Sequence, residues 1–495
     1  LDINAALLNP LKKLFKQTAI YGLATVLPRM ISFFLVRVHT DAMPPEIYGE
    51  LAVIFAYFAM FNVVLAYGME TAFFRFYSKS DDKETVISTS LISILASTML
   101  FMVVSLIFQD GMARLLSIDP KYIKYVVFIL SLDALVIIPF AWLRANERPL
   151  RYAVVKILNV VINFGLNVFF LLLLPGIAAS NPDGLLAGLY RPNFQISYII
   201  IANLCASGVT LLLMLKPYLI SRYTFDDKLW KQMMKYAIPV LIAGVAFTIN
   251  EVFDRVMLEA LLPEDIANKE VGMYNACVKL ALFMTLFSTA FRMGIEPFFF
   301  SHAGTANPQK AYAQITNYFV VLGSVILLGV VVFADVLKVL FVKNPAYWEA
   351  MSVVPIILLA SFFLGIYHNL SVWYKVTDKT RYGAFISVFG ALITIIVNYI
   401  FIPYIGYMAS AIATLMAYGS MMVLSYYLGK SRYPVPYNFR KIIFYLGVSV
   451  LFSILSFYIF DRSLIVGSIL FLLFLGLVYK LEKDTLTQIF LRQKN

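Results

Sequence analysis

Charge is scarce in this sequence: Asp, Glu, Lys and Arg together make up 14% of its 495 residues. A soluble domain carries about 25%. Hydrophobic residues make up 61%, and the mean hydropathy is +0.82. A chain this long and apolar cannot cover a water-facing surface with polar groups, which excludes a soluble globular protein and indicates an integral membrane protein. Cysteine is scarcer still. Cys205 and Cys277 both lie in apolar stretches, which excludes a disulfide framework or a thiolate metal site and leaves two small buried side chains. His39, His302 and His368 have no metal-ligand spacing. Long outer loops are missing too. The longest, about Pro175 to Asn193, carries the turn composition "ASNPDG" and leaves no room for an extramembrane catalytic domain.

What the chain has is long apolar runs. A hydrocarbon core about 30 Å thick needs about 20 helical residues. Such runs fall at 17–39, 47–74, 86–108, 122–143, 153–174, 194–215, 236–258, 271–293, 312–334, 352–374, 383–403, 407–428, 441–460 and 463–480. The fold class expected is therefore an all-α polytopic membrane protein of about 14 transmembrane helices. With the N-terminus inside, about 28 Lys and Arg fall in inner loops against about 10 in outer ones. Only Arg29 and Lys279 lie deep in spans. The bias alternates loop by loop, which predicts an even span number and cytoplasmic termini. The net charge of +12 thus reflects sidedness rather than nucleic-acid binding. The first segment is amphipathic and weakly apolar, so no cleavable signal peptide is expected. Residues 1–16 have apolar side chains at helical spacing beside a Lys cluster, which suits either the inner membrane face or a plain cytoplasmic lead-in.

The chain repeats itself. "KLFKQTAIY" at Lys13 is echoed by "KLWKQMMKY" at Lys228, and "WLRANERPLRY" at Trp142 by "WYKVTDKTRY" at Trp373. "YGE" at Tyr48 and "VGMY" at Val271 open the second span of each half. The expected organisation is an N-lobe at 17–222 (spans 1–6), a C-lobe at 223–430 (spans 7–12), and spans 13–14 with a tail at 431–495. Six spans per half make the repeats parallel, related by a pseudo-two-fold axis along the membrane normal, with a substrate path between them.

Ionisable groups at span centres cost about 2.5–3.5 kcal/mol or more and usually face a cavity. Arg29 and Lys279, one in each half, are the candidates for substrate binding, because such bases suit an anionic head group and Arg binds phosphate bidentately. The alternative for Arg29 is an internal ion pair, for instance with Asp133. Asp133 is the candidate for ion coupling, or else part of a structural salt bridge. Glu251, Asp254 and Arg255 in span 7, with Arg37 at the outer end of span 1, are expected to form gating or structural ion pairs; Glu251 and Arg255 share a face at i,i+4. Glu70 and Arg75 mark the inner end of span 2, and Arg292 and Glu296 that of span 8. Pro28 and Pro239 are expected to kink the first span of each half. "LGKS" at Leu428 lacks the upstream Gly and strand of a phosphate loop and reads as a helix end.

The "LFKQTAIYGL" start, "VHTDAMPPEIYGELAVIFAYF" joining spans 1 and 2, "FDRVML" in span 7 and "IPYIGYMASAIATL" joining spans 11 and 12 resemble polysaccharide-transport proteins. These are the Wzx-type lipid-linked oligosaccharide flippases of the multidrug/oligosaccharidyl-lipid/polysaccharide exporter superfamily, and the likeness covers about residues 10–430. The resemblance implies alternating access in a bacterial cytoplasmic membrane. A polyprenyl-pyrophosphate-linked oligosaccharide would be carried to the outer leaflet for surface polysaccharide assembly, with the bilayer and possible assembly proteins as partners. A monomer is expected, with no nucleic-acid partner, no metal and no cofactor beyond H+ or Na+ coupling. Two rival functions remain: a cation-coupled multidrug exporter of the same superfamily, and a membrane-embedded glycan polymerase or ligase. Asp41 and Glu46 are the only acids in the first outer loop for the latter.

Overall fold

The computed structural model describes residues 3–302, 307–377 and 379–492. The side chains of the lead-in 1–16 lie outside those described, and with them its expected seat on the membrane face. Among the described residues all regular structure is helical. Fourteen helical segments among these residues are long and apolar enough to cross a membrane. Spans 1–7 are Gly22–Ala42, Pro45–Lys79, Lys83–Ile107, Pro120–Ala145, Pro149–Ser180, Gln195–Ile220 and Asp227–Leu261. Spans 8–14 are Glu264–Glu296, Pro308–Val332, Pro345–Val376, Arg381–Ile405, Tyr407–Arg432, Phe439–Ile459 and Leu464–Lys483.

Short polar residues set where these helices begin. The carboxylate of Asp82 accepts from the Thr85 backbone N–H at 3.1 Å at the start of span 3, and Asp226 from that of Leu229 at 3.0 Å at the start of span 7. Asn438 does the same for Lys441 at the start of span 13, at 3.1 Å. Each satisfies a backbone donor that the first helical turn leaves without a partner. Pro45, Pro120 and Pro149 sit in first turns, where the missing N–H costs nothing.

The helices Ile3–Ala42 and Asp227–Leu261 carry Pro28 and Pro239 within them. Span 2 breaks at Tyr67 and Gly68, where φ is 32° and 73°. A Cβ on Gly68 would lie 2.4 Å from the Ala237 carbonyl oxygen, so the left-handed turn and the close approach both require glycine. Span 8 tightens at Lys279–Ala281 into a single turn of narrower helix, a common mark of a hinge.

The chain's contacts divide into two compact units. The first holds Leu1–Asn275 and Arg381–Ser410. Within it, span 7 packs on spans 2 and 11, and span 5 on spans 1 and 6. A polar seam joins spans 5 and 6. Asn163 donates to Asn203 at 2.6 Å, Asn159 donates to Thr210 at 2.9 Å, and Asn167 bonds His39 of span 1 at 2.9 Å. Apolar side chains gain little by leaving lipid for another helix, so such bonds supply part of the adhesion. The second unit holds Ala276–Thr380 and Ala411–Asn495. Its centre is span 9, which packs on spans 8, 10, 13 and 14. Spans 13 and 14 are fastened at one end by Glu482, which accepts from Lys441 and from the Tyr445 hydroxyl at 2.8 Å each.

Candidate functional site

The first cluster lies where spans 2 and 8 begin. Gly49 and Gly272 meet reciprocally. A Cβ on Gly49 would lie 1.8 Å from the Asn268 carbonyl oxygen, and one on Gly272 1.9 Å from that of Pro45. Each glycine thus faces the carbonyl four residues before the other, as a two-fold relation between repeats requires. No side chain fits there, so the sequence motifs "YGE" and "VGMY" carry glycine for a contact between backbones.

Beside this crossing lies a buried charge network. Asp254 and Arg255 are 5% and 8% exposed. The guanidinium donates to Asp254 Oδ1 at 2.7 Å and to the Glu251 backbone carbonyl at 2.6 Å. Tyr274 from span 8 donates its hydroxyl to Asp254 Oδ2 at 2.7 Å, and its ring lies 5.6 Å from the guanidinium carbon. Tyr48 from span 2 bonds Asn275 and feels the Arg255 charge. The i,i+4 spacing suggested a Glu251–Arg255 pair; the carboxylate that Arg255 binds is that of its neighbour Asp254. Glu251 is exposed and contributes its backbone carbonyl and a longer-range charge. A buried guanidinium needs several acceptors close by, and only Asp254 offers a carboxylate already held by a second donor. Arg37 closes span 1 on Asp41, at 3.8 Å.

A second set lies at the opposite ends of the spans. Arg144 binds Glu70 at 2.7 Å and covers the Phe74 ring at 4.8 Å. Lys375 binds Glu296 at 2.7 Å. The two pairs are equivalent in the repeat: each joins the end of the second span of a half to that of the fourth. Sequence spacing names Arg144 and Lys375 as counterparts but leaves their acids unassigned. The signal was present: Gly68-Met69-Glu70 and Gly294-Ile295-Glu296 both read Gly-x-Glu, followed by Phe73 and Phe299. Next to the second pair, Arg292 lies 3.5 Å from His368 Nε2.

The deep charges belong to three different spans, the first, fourth and eighth. Arg29 is exposed on span 1. Lys279 is half-buried and opens the tightened turn of span 8. Asp133 accepts from the Ser207 hydroxyl at 2.7 Å, and its basic neighbour is Lys156 of span 5, not Arg29. Lys156 in turn lies 4.3 Å over the Phe140 ring. Among the described residues no three His, Cys, Asp or Glu side chains group closely enough for a metal ion.

Comparison with known proteins places this arrangement. The family model for "Polysaccharide biosynthesis protein" matches residues 14–300, more than half the chain, and the MatE model matches residues 260–400. No curated protein sequence matches. Among solved structures, the lipid II flippase MurJ in an inward closed conformation superposes with a TM-score of 0.70 at 14% identity, covering 93% of this chain and 99% of MurJ. An inward-facing multidrug resistance MATE family transporter gives 0.65 at 13% identity, over 82% of this chain and 94% of its own. A transporter from Pyrococcus furiosus Vc1 (DSM3638), described as having a binding pocket of reverse polarity, gives 0.59 at 13% identity, over 84% and 95%. These solved structures are described as a flippase and transporters. With fourteen spans, paired repeats and this likeness, the chain is a multi-pass membrane protein of the polysaccharide biosynthesis protein family, with the fold of the multidrug/oligosaccharidyl-lipid/polysaccharide exporter superfamily.

Proposed function

We propose that the protein is a flippase that carries a polyprenyl-(pyro)phosphate-linked oligosaccharide from the cytoplasmic to the outer leaflet. It does so by alternating access through a basic cavity, for assembly of a cell-surface polysaccharide. The observation that carries this reading is the exposed Arg29 inside an apolar span. A guanidinium facing hydrocarbon is costly, whereas one facing a water-filled path is well placed to meet phosphate oxygens in pairs. Membership of a polysaccharide biosynthesis family and a fold shared with a lipid II flippase support the same substrate class.

In this reading Arg29 and Lys279 neutralise the pyrophosphate, while the lipid tail stays in the bilayer. The tightened turn at Lys279 lets span 8 bend as access changes. The Gly49–Gly272 crossing and the Asp254–Arg255–Tyr274 network hold the outer ends, and the Glu70–Arg144 and Glu296–Lys375 pairs hold the inner ends. Asp133 is the residue for H+ or Na+ coupling. The protein works as a monomer of two six-span lobes with spans 13 and 14 appended, in a bacterial cytoplasmic membrane with both termini inside.

The test is transport of a fluorescent lipid-linked oligosaccharide by proteoliposomes, with and without ion gradients. Arg29→Ala and Lys279→Ala are expected to reduce it at least tenfold; unchanged transport in both overturns the site. A multidrug exporter is the second reading, favoured by the MatE match over residues 260–400. Broad sensitisation of a deletion strain to cationic dyes would support it.

A further inference from the structure

Each half of the chain follows its third span with a short helix carrying an acid at its second position. These are Gln109–Leu116, with Asp110, and Ala334–Phe341, with Asp335. In the second half that acid is ion-paired within the protein. Lys338 lies 2.6 Å from Asp335 Oδ1, and Arg462, from the turn before span 14, lies 3.5 Å away. The first half has no appended spans of its own. Among the described residues no cation pairs with the Asp110 carboxylate.

At Asp110 there is instead a cavity of about 560 Å³, lined by Gln109, Asp110, Lys121, Lys124, Tyr125, Phe128 and their neighbours Pro120 and Leu204. Its wall is one face of span 4. Lys121, Lys124, Tyr125 and Phe128 stand at i, i+3, i+4 and i+7, a stripe about 10 Å long. The stripe runs from charge at the helix start, through a tyrosine, to a phenylalanine that is 42% exposed. Lys121 is held by Asp119 at 2.6 Å, whereas no carboxylate among the described residues pairs with Lys124. The cavity lining therefore offers both an available cation and an available carboxylate, together with apolar and aromatic side chains.

This graded pocket has the polarity of a phospholipid standing in a leaflet, and its two opposite charges fit a zwitterionic head. We propose that it is a binding site for a phospholipid with a primary ammonium head, of the phosphatidylethanolamine type. The ammonium donates to the Asp110 carboxylate, the place that Arg462 fills for Asp335 in the other half. The phosphate accepts from Lys124 and from the Gln109 amide. An acyl chain lies along Tyr125, Phe128 and Leu204. With the termini inside, the lipid is one of the outer leaflet. Its lining includes neither Arg29 nor Lys279, so it stands or falls separately from the proposed substrate site.

The test is native mass spectrometry of the full chain released from nanodiscs containing equal parts of phosphatidylethanolamine, phosphatidylcholine and phosphatidylglycerol. The expected result is one retained phosphatidylethanolamine. Its retention should fall about tenfold in Asp110→Asn and in Lys124→Gln, and persist in Lys124→Arg. Phosphatidylcholine cannot donate a hydrogen bond to Asp110 and should not be retained. Equal retention of phosphatidylcholine, preference for phosphatidylglycerol, or unchanged retention in both variants overturns the proposal. Both side chains are exposed, so the variants are expected to fold with wild-type melting temperatures.

Discussion

Removing Asp254 should destabilise the protein far more than removing its pair as a whole. In Asp254→Ala, Arg255 stays buried at 8% exposure, keeping the Glu251 carbonyl as an acceptor but losing its carboxylate, and the Tyr274 hydroxyl loses its bond to Asp254. Breaking one side of a buried ion pair costs about 3–5 kcal/mol. Replacing the whole set with apolar side chains of similar volume, as Asp254→Leu with Arg255→Met and Tyr274→Phe, removes the unpaired charge and polar groups together and should recover most of that loss. Relative stability can be read by proteolysis of the protein in nanodiscs across a denaturant series. If the single variant loses less than about 1 kcal/mol, or if the triple variant is the less stable of the two, then Arg255 does not depend on Asp254 in the way the geometry implies.

Three further outcomes follow from the same contacts. Gly49→Ala and Gly272→Ala each drive a methyl into a carbonyl oxygen, and overpacking of this kind costs about 1–3 kcal/mol; both should lower the melting temperature, whereas Gly447→Ala, which meets nothing, should not. The Glu70–Arg144 and Glu296–Lys375 pairs are partly exposed, between 30% and 44%, so each should contribute only about 0.2–1 kcal/mol. Charge reversal should still impair glycan export in cells, and the double swap Glu70→Arg with Arg144→Glu should restore it; failure of the swap would show that the pair has no role as a pair. Asp82 lies between spans, and the Thr85 hydroxyl and backbone N–H hold its carboxyl below the usual carboxylate value. Its folded pKa is the lower one, so the stability it supplies is present above the unfolded value of about 4 and is lost as pH falls through the folded value. Melting curves of Asp82→Asn and the wild type should therefore differ at neutral pH and converge in acid.

The span pattern was legible because it follows from composition and length, which the bilayer reads directly. The fourteen apolar runs reappear as helices with ends shifted by up to nine residues; the seventh, expected at 236–258, is Asp227–Leu261. The break at Tyr67–Gly68 was not legible, because it answers to the close approach of Ala237, which no local pattern encodes. Arg255 shows the same limit. Helical spacing pointed to Glu251, but Tyr274, brought in from span 8, fixes Asp254 as the acceptor. The repeat revealed more than it was asked for. The Trp142 and Trp373 motifs identified Arg144 and Lys375, and the matching Gly-x-Glu segments held their acids.

The most direct test of the central claim is a leaflet-accessibility assay in proteoliposomes that compares a pyrophosphate-linked oligosaccharide with a cationic dye. The account predicts that the wild type moves the lipid-linked sugar across the bilayer, that Arg29→Ala abolishes this movement, and that the dye is not carried. Transport of the dye with no movement of the lipid-linked sugar would contradict it.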